Sequence, residues 1–407
     1  MIPFPKNLIY LDHAATTPLD PRVFEVMQPY LIQDFGNPSS FHTLGMRAKE
    51  AIAEARKTIG ALLGAHDEEI LFTAGGTESN NLALAGVVNA HRASVVEGLP
   101  HVITTSIEHH SVLEPLLYWQ KRKQIDLTVL PVNREGQVSV KDLEAALTSN
   151  TILVSIMMAN NEIGTIQPIA DIGRMLLVWR KEHKTIYPFF HSDACQAAGS
   201  LEIDVEKLHT DLLTINASKI YGPKGVGLLY LRRGTKIEAL IRGGGQERNL
   251  RAGTEYVAGI VGFAKAFALV QAEREEESHR LAILRDHLAA GLLQIPKSRL
   301  NGHPTERLSN SVNVSFLDIE GEAAVLYLDA EGVMASTGSA CASASLDPSH
   351  VILATGLSYE AAHGSIRFTL GHSTTMEHVD RVIELMPGIV ERLRKMSPTN
   401  LDMKYFA

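Results

Sequence analysis

The chain has 407 residues, 45% of them hydrophobic and 21% charged, and a formal net charge of −8. That balance fits a folded globular protein with room for more than one core, and argues against a nucleic-acid face or a membrane-surface helix as its purpose. No apolar run is long enough to span a bilayer, the N-terminus lacks a signal-peptide pattern, and the two cysteines, Cys195 and Cys341, make neither a disulfide framework nor a cysteine-rich metal site. A cytoplasmic protein with reduced thiols is the expectation.

In chain order, short apolar runs alternate with helical patterns. "EILFT" (69–73) leads through "AGGTES" into the helix-like "NNLALAGVVNAHRA", and "HVITTS" (101–106) leads through "IEHH" into "SVLEPLLYWQKR". "IDLTVLPV" (125–132) precedes "VKDLEAALTS", and "TILVSIMM" (151–158) passes through "ANNEIG" into "IADIGRMLLVWRKEH". "IYPFF" (186–190) ends in "HSDACQ", "DLLTI" (211–215) ends in "NASK", and "GVGLLYLRR" (225–233) reads as a further strand. Apolar strands alternating with amphipathic helices predict an α/β protein, its mostly parallel sheet covered by helices on both faces.

From about residue 265 the texture changes: "LAILRDHLAAGLLQI", "RLSNSVNVSF", "EGEAAVLYLDAEG", "GSIRFTLG" and "TMEHVDRVIELMPGIVERLRKM" mix helices and strands. This predicts a large domain over 15–264 and a small α+β domain over 265–407, joined by residues 1–14. The first twenty or so residues either pack against the small domain or line the site.

Ligands of open parallel sheets bind beyond the carboxyl ends of the strands. Five strand ends here finish in "GGTES", "IEHHS", "NNEIG", "SDACQ" and "NASK". Plain connections need one or two turn residues, not histidines, asparagines, an aspartate and a lysine on one edge. Gly75, Gly76 and Thr77 stand where a helix N-terminus could take an anion, or equally where a plain turn is capped. Lys219, just past a buried strand, is either an amine nucleophile made reactive by desolvation or a solvated loop lysine. Asp193 could hold a protonated heterocycle nitrogen or cap a helix. His109 and His110 offer acid–base chemistry; adjacent side chains point apart, so a metal is not expected. Cys341 lies in "MASTGSACASASLDPS" (334–349), a run too poor in apolar residues to pack firmly. It is either an idle loop or a mobile arm bearing a reactive thiol.

Taken together, "YLDHAATTP", "FGNPSSFH", "FTAGGTESNN", "IEHHSV", "NNEIGTIQP", "HSDACQA", "SKIYGPKGVG", "GGGQERNLRAGT", "STGSACASAS" and "SIRFTLG" occur in this order along nearly the whole chain. The series resembles the cysteine desulfurases of the NifS and IscS kind, within the class V aminotransferases that use pyridoxal 5'-phosphate. The resemblance implies the aspartate aminotransferase-like fold (fold type I). It also implies conversion of L-cysteine to L-alanine with a persulfide on the enzyme. Lys219 would bind the cofactor as a Schiff base, and Asp193 would bond its pyridine nitrogen. Gln196 and Asn161 would hold the phenolic oxygen and the incoming amino acid. His109 would stack on the ring and move protons. Gly76, Thr77 and Ser218 would take the phosphate, and Thr254 would reach the cofactor of a neighbouring subunit, implying a homodimer. Arg367 would bind the substrate carboxylate, and Cys341 would be the thiol that accepts sulfur and passes it to an acceptor, such as an iron–sulfur scaffold or a tRNA-thiolation protein.

Three departures qualify the resemblance. Asn216 and Ser218 stand where relatives commonly carry a serine and a histidine, which implies altered phosphate contacts. Cys195 stands where relatives often have threonine and is a rival thiol. The tail after "LRKM" is shorter than in relatives that feed a scaffold, which puts that docking in question. A different class V enzyme (an aminotransferase or selenocysteine lyase) and a non-catalytic interaction protein on the same fold are the competing readings. "GSACAS" speaks against an aminotransferase, which needs no thiol.

Overall fold

The computed structural model describes residues 8–94, 98–338 and 347–406. Cys341 lies outside the described residues. A seven-stranded sheet forms the centre, in the spatial order Ile70–Thr73, Gly227–Leu231, Leu212–Asn216, Phe189–Asp193, Thr151–Ser155, His101–Thr105 and Asp126–Leu130. The last five are parallel, and Gly227–Leu231 runs antiparallel to both of its neighbours.

Successive residues of a strand face opposite sides, and the sequence fills both sides with apolar groups. Ile103, Val154, Phe190, Leu213 and Leu228 belong to one core, under helices Thr43–Leu63 and Ile169–His183 and the first half of helix Val257–Leu292. Their chain neighbours Val102, Leu153, Phe189, Leu212 and Leu229 belong to the other, under helices Gly76–Ser94 and His110–Lys121. Coverage on both faces explains why these strands read as continuous apolar runs. The edge strand Asp126–Leu130 differs, with Asp126 and Val129 exposed and only Leu127 and Leu130 buried.

The strand predicted at 186–190 instead runs Phe189–Asp193. Its polar residues look like a strand end in the sequence, but they are paired inside the sheet. His191 Nδ1 meets Ser155 Oγ at 2.8 Å, and its Nε2 meets Thr214 Oγ1 at 3.1 Å, so hydroxyls of both neighbouring strands satisfy the buried ring. The effect is to carry Asp193 to the very end of the strand.

A third core lies outside the central sheet. Strands Ser298–Leu300, Ser311–Phe316 and Ser365–Thr369 form an antiparallel sheet, packed on the second half of helix Val257–Leu292 and on helix Met376–Met396. One continuous helix therefore serves this core and one of the two cores of the central sheet. Ile9–Tyr10 pairs with Val333–Met334, and the chain then crosses to the central sheet, where Ala14 and Ala15 reach the site.

Candidate active site

Beyond the carboxyl ends of the parallel strands lies a cavity of about 250 Å³. Gly76, Thr77, His109, Asn161, Asp193, Gln196, Asn216, Lys219 and Arg367 all line it. Of the other expected site residues, Ser218 lies in an adjoining shallow depression with Gly75, Gly76, Thr77 and Asn216. Thr254 is exposed, away from this cavity.

Local structure aims each group. Asn216 ends its strand and caps the single 3-10 turn Ala217–Lys219 by accepting from the Ser218 N–H, which turns the lysine back over the sheet edge. Lys219 Nζ donates to the carbonyls of Ala14 (2.7 Å) and Ala15 (2.6 Å). Helix Gly76–Ser94 begins at the cavity, bringing unpaired N–H groups and positive dipole charge. Its approach depends on glycine. Gly75 has φ +150°, a backbone that larger residues rarely adopt, and a Cβ on Gly76 would stand 2.9 Å from Cys195 Sγ.

Asp193 accepts from the Cys195 N–H at 2.9 Å and from Asn80 Nδ2 at 2.7 Å. The same Asn80 amide donates to Ser111 Oγ at 2.8 Å, and Ser111 Oγ lies 2.7 Å from His109 Nδ1. His109 is itself the N-cap of helix His110–Lys121, where Nδ1 accepts from the Ser111 backbone N–H. An N–H can only donate, so Nδ1 is the acceptor and the neutral ring carries its proton on Nε2. Burial lowers the His109 pKa against the pull of Asp193, and nearby Lys219 adds to the lowering.

Arg367 enters from the small sheet and is 3% exposed. Its Nη2 meets Asp12 at 2.8 Å, and Nη1 donates to the carbonyls of Asn161 and Gly338 at 2.9 and 2.8 Å. Nε is buried with no partner among the described residues. A guanidinium at a cavity wall is suited to a planar carboxylate.

Cys195, the rival thiol, sits against Gly76 and beside Asp193; burial first, then that carboxylate, pushes its pKa well up. It therefore stays a thiol at neutral pH, a poor nucleophile. Glu108, which accepts from Thr105 Oγ1 at 2.7 Å and the Met157 N–H at 3.0 Å, is also raised by burial, to about 8.

Sequence reasoning missed Asn80, Ser111, Asp12 and the Ala14 and Ala15 carbonyls. Asn80 and Ser111 fall in stretches already marked by polar strand ends; Asp12 lies in the quoted "YLDHAATTP", but nothing local tells its role, because its partner is 355 residues away.

Residues 9–382 match the family model described as aminotransferase class-V. The chain is 52% identical over 393 residues to a protein named cysteine desulfurase IscS from Methanosarcina thermophila, covering 97% of this chain and 94% of that one. A solved structure titled as a NifS-like protein superposes with a TM-score of 0.87 at 36% identity, covering 95% of this chain and all of the other. Another, titled SspA in complex with cysteine, gives 0.77 at 36% identity, over 89% and 98% of the two chains. The fold and these matches define a class V aminotransferase, a family of pyridoxal-phosphate enzymes, and the chain belongs to it. Within that family its place is among the cysteine desulfurases of the IscS and NifS kind.

Proposed function

We propose that this cysteine desulfurase works through the cavity residues just described, with Cys341 as the sulfur-accepting thiol. The net reaction takes L-cysteine and the Cys341 thiol to L-alanine and a Cys341 persulfide. The substrate C–S bond breaks, an S–S bond forms, carbon is reduced and sulfur oxidised, and a proton completes the methyl group. The observation that carries the assignment is the meeting of Lys219, Asp193 and Arg367 at one cavity, the last two supplied by strands and 174 residues apart in sequence.

The donor set fits pyridoxal 5'-phosphate. Lys219 is the amine that would hold its aldehyde, Asp193 the carboxylate that would hold its ring nitrogen, and Gly76, Thr77, Asn216 and Ser218 surround the helix N-terminus that suits its phosphate. The glycine pair at that helix start, closed to any Cβ on Gly76, supports this reading. When bound, the cofactor supplies an electron sink for bonds broken on the amino acid. The protein's own groups then divide the work. Arg367 binds the substrate carboxylate, while Asn161 and Gln196 offer hydrogen bonds along the cavity wall. His109 serves proton movement as a neutral imidazole, the form that its lowered pKa favours at neutral pH.

Exposure of Thr254 supports its use on a second copy of the chain, hence a homodimer. A sulfur acceptor protein completes the turnover. No helix among the described residues is long and apolar enough to cross a membrane.

The test is turnover of L-cysteine by the purified protein with a thiol reductant, measuring sulfide and alanine together. Equal amounts are expected, with loss of sulfide in Cys341→Ala and retention in Cys195→Ala. Borohydride reduction followed by peptide mapping is expected to fix the cofactor at Lys219. Full sulfide release by Cys341→Ala would overturn the role given to that thiol.

A further inference from the structure

A second, smaller cavity of about 40 Å³ lies behind the first, and Lys219 and Gln196 line both. Its other wall carries His13, Tyr221, His372 and Glu277. At that size it accommodates about three water molecules.

His13 is the unusual member. It is 3% exposed, and its Nδ1 lies 2.9 Å from the Thr369 carbonyl oxygen. A carbonyl only accepts, so Nδ1 carries the proton and the neutral ring presents a lone pair at Nε2. That Nε2 is buried and has no hydrogen-bond partner among the described residues, a costly arrangement unless the atom is used. The backbone makes room for it deliberately: a Cβ on Gly371 would stand 2.2 Å from His13 Nε2 and 2.5 Å from Tyr221 Oη, so only glycine lets the two side chains converge here. The carbonyl that accepts from Lys219 Nζ belongs to Ala14, the next residue in the chain.

We propose that His13 is the base that takes the Lys219 ammonium proton through water in this rear cavity, opening a proton route to solvent that avoids the substrate pocket. This rests on Lys219 being the reactive amine. In the step, an N–H bond of the Lys219 ammonium breaks, a water relays the proton, and an N–H bond forms at His13 Nε2. The lysine regains its electron pair and the net charge of the cavity is unchanged. The proton leaves at the cavity mouth, where the ring of His372 stacks on Tyr221 at 3.8 Å and its Nε2 lies 3.9 Å from Glu277. His13 touches neither substrate nor cofactor; it acts through Lys219. Burial lowers the His13 pKa, partly offset by the Thr369 carbonyl, Asp12 and Glu277, so His13 holds the proton only in passing before it moves on to solvent. The ionisable groups around it are Tyr10 and Asp12 on its own segment, Tyr221 after the lysine turn, Glu277 on the long helix and His372 after the last strand.

The discriminating variant is His13→Asn, whose side-chain amide can still donate to Thr369 but cannot take a proton. Lys219 acylation in the full-length apoprotein, followed by peptide mass mapping at several pH values, reads the amine directly. His13→Asn is expected to slow Lys219 labelling on the order of tenfold while other lysines are unchanged, and to lower turnover on the order of tenfold or more, the usual scale of base catalysis. Added imidazole, small enough for the enlarged cavity of His13→Ala, is expected to restore both. Unaltered Lys219 labelling in His13→Asn, or reduced turnover that imidazole fails to restore, overturns the proposal and leaves His13 a packing residue. Borohydride labelling of a lysine other than Lys219 in the unsubstituted protein would overturn the site assignment itself, an outcome distinct from the other two.

Discussion

Asn80 and Asp193 are joined by a 2.7 Å hydrogen bond in which the amide Nδ2 donates to the carboxylate, and the same nitrogen reaches Ser111 on the path to His109. One side chain from the first turns of helix Gly76–Ser94 thus fixes both the group that would hold the cofactor ring and the histidine proposed to move protons. Asn80→Ala is expected to destabilise the fold by about 1–3 kcal/mol, because it leaves a buried carboxylate short of a donor. It is also expected to weaken cofactor binding. Asn80→Asp should do worse on both counts, since it sets a second carboxylate beside Asp193. Equilibrium dialysis against the cofactor and thermal melts would check this; wild-type cofactor affinity in both variants would refute it.

Cys195 is predicted to be dispensable. Its thiol is held protonated by burial and by Asp193, so Cys195→Ser should keep turnover within about twofold of wild type and keep the persulfide on Cys341. Mass mapping of iodoacetamide-trapped protein after a single addition of L-cysteine gives the answer. Persulfide found mainly on Cys195 would contradict the prediction.

How much of this was legible in the sequence depended on where the information lay. The polar strand ends were readable because a parallel sheet puts successive strand ends on one edge, so Lys219, Asp193, His109 and Asn161 announced themselves together. The extent of the strand Phe189–Asp193 was not, because His191 is satisfied by Ser155 and Thr214, hydroxyls of two other strands. Polar residues inside a sheet look like loop until their partners are known. Asn80 stood in a marked stretch, but its job exists only once two helices and a strand converge. Asp12 and His13 were quoted as part of a family motif, yet their partners Arg367 and Thr369 arrive from the far end of the chain.

Glu108 gives the protein a pH-sensitive element next to His109. Burial raises its pKa to about 8 from an ordinary value of 4.5. The folded state therefore binds this proton more tightly than the unfolded state. The corresponding stability is fully present below about pH 4.5, declines as pH rises, and is lost above about 8. Glu108→Gln cannot ionise and can still bond Thr105 and the Met157 N–H. Its melting temperature should fall less than that of wild type between pH 6 and pH 9. Parallel slopes for the two proteins would show that Glu108 ionises normally.

The Arg367–Asp12 pair makes a prediction of opposite sign for stability and for ligand binding. With Asp12 present, the buried guanidinium is compensated by a carboxylate at 2.8 Å. Asp12→Asn leaves a buried positive charge without its counter-ion, a change that costs about 3 kcal/mol or more in comparable buried pairs. A ligand carboxylate then becomes the replacement partner. Wild type offers it a guanidinium already half-neutralised; the variant offers the full charge. Asp12→Asn should therefore melt at a lower temperature than wild type when free. It should gain more melting temperature from saturating L-alanine, the carboxylate-bearing product, than wild type does. Arg367→Lys removes the bidentate geometry while keeping the charge, and is expected to raise KM for L-cysteine on the order of tenfold. If L-alanine stabilised Asp12→Asn less than wild type, Asp12 would be acting to orient Arg367 for the substrate rather than to compensate its charge.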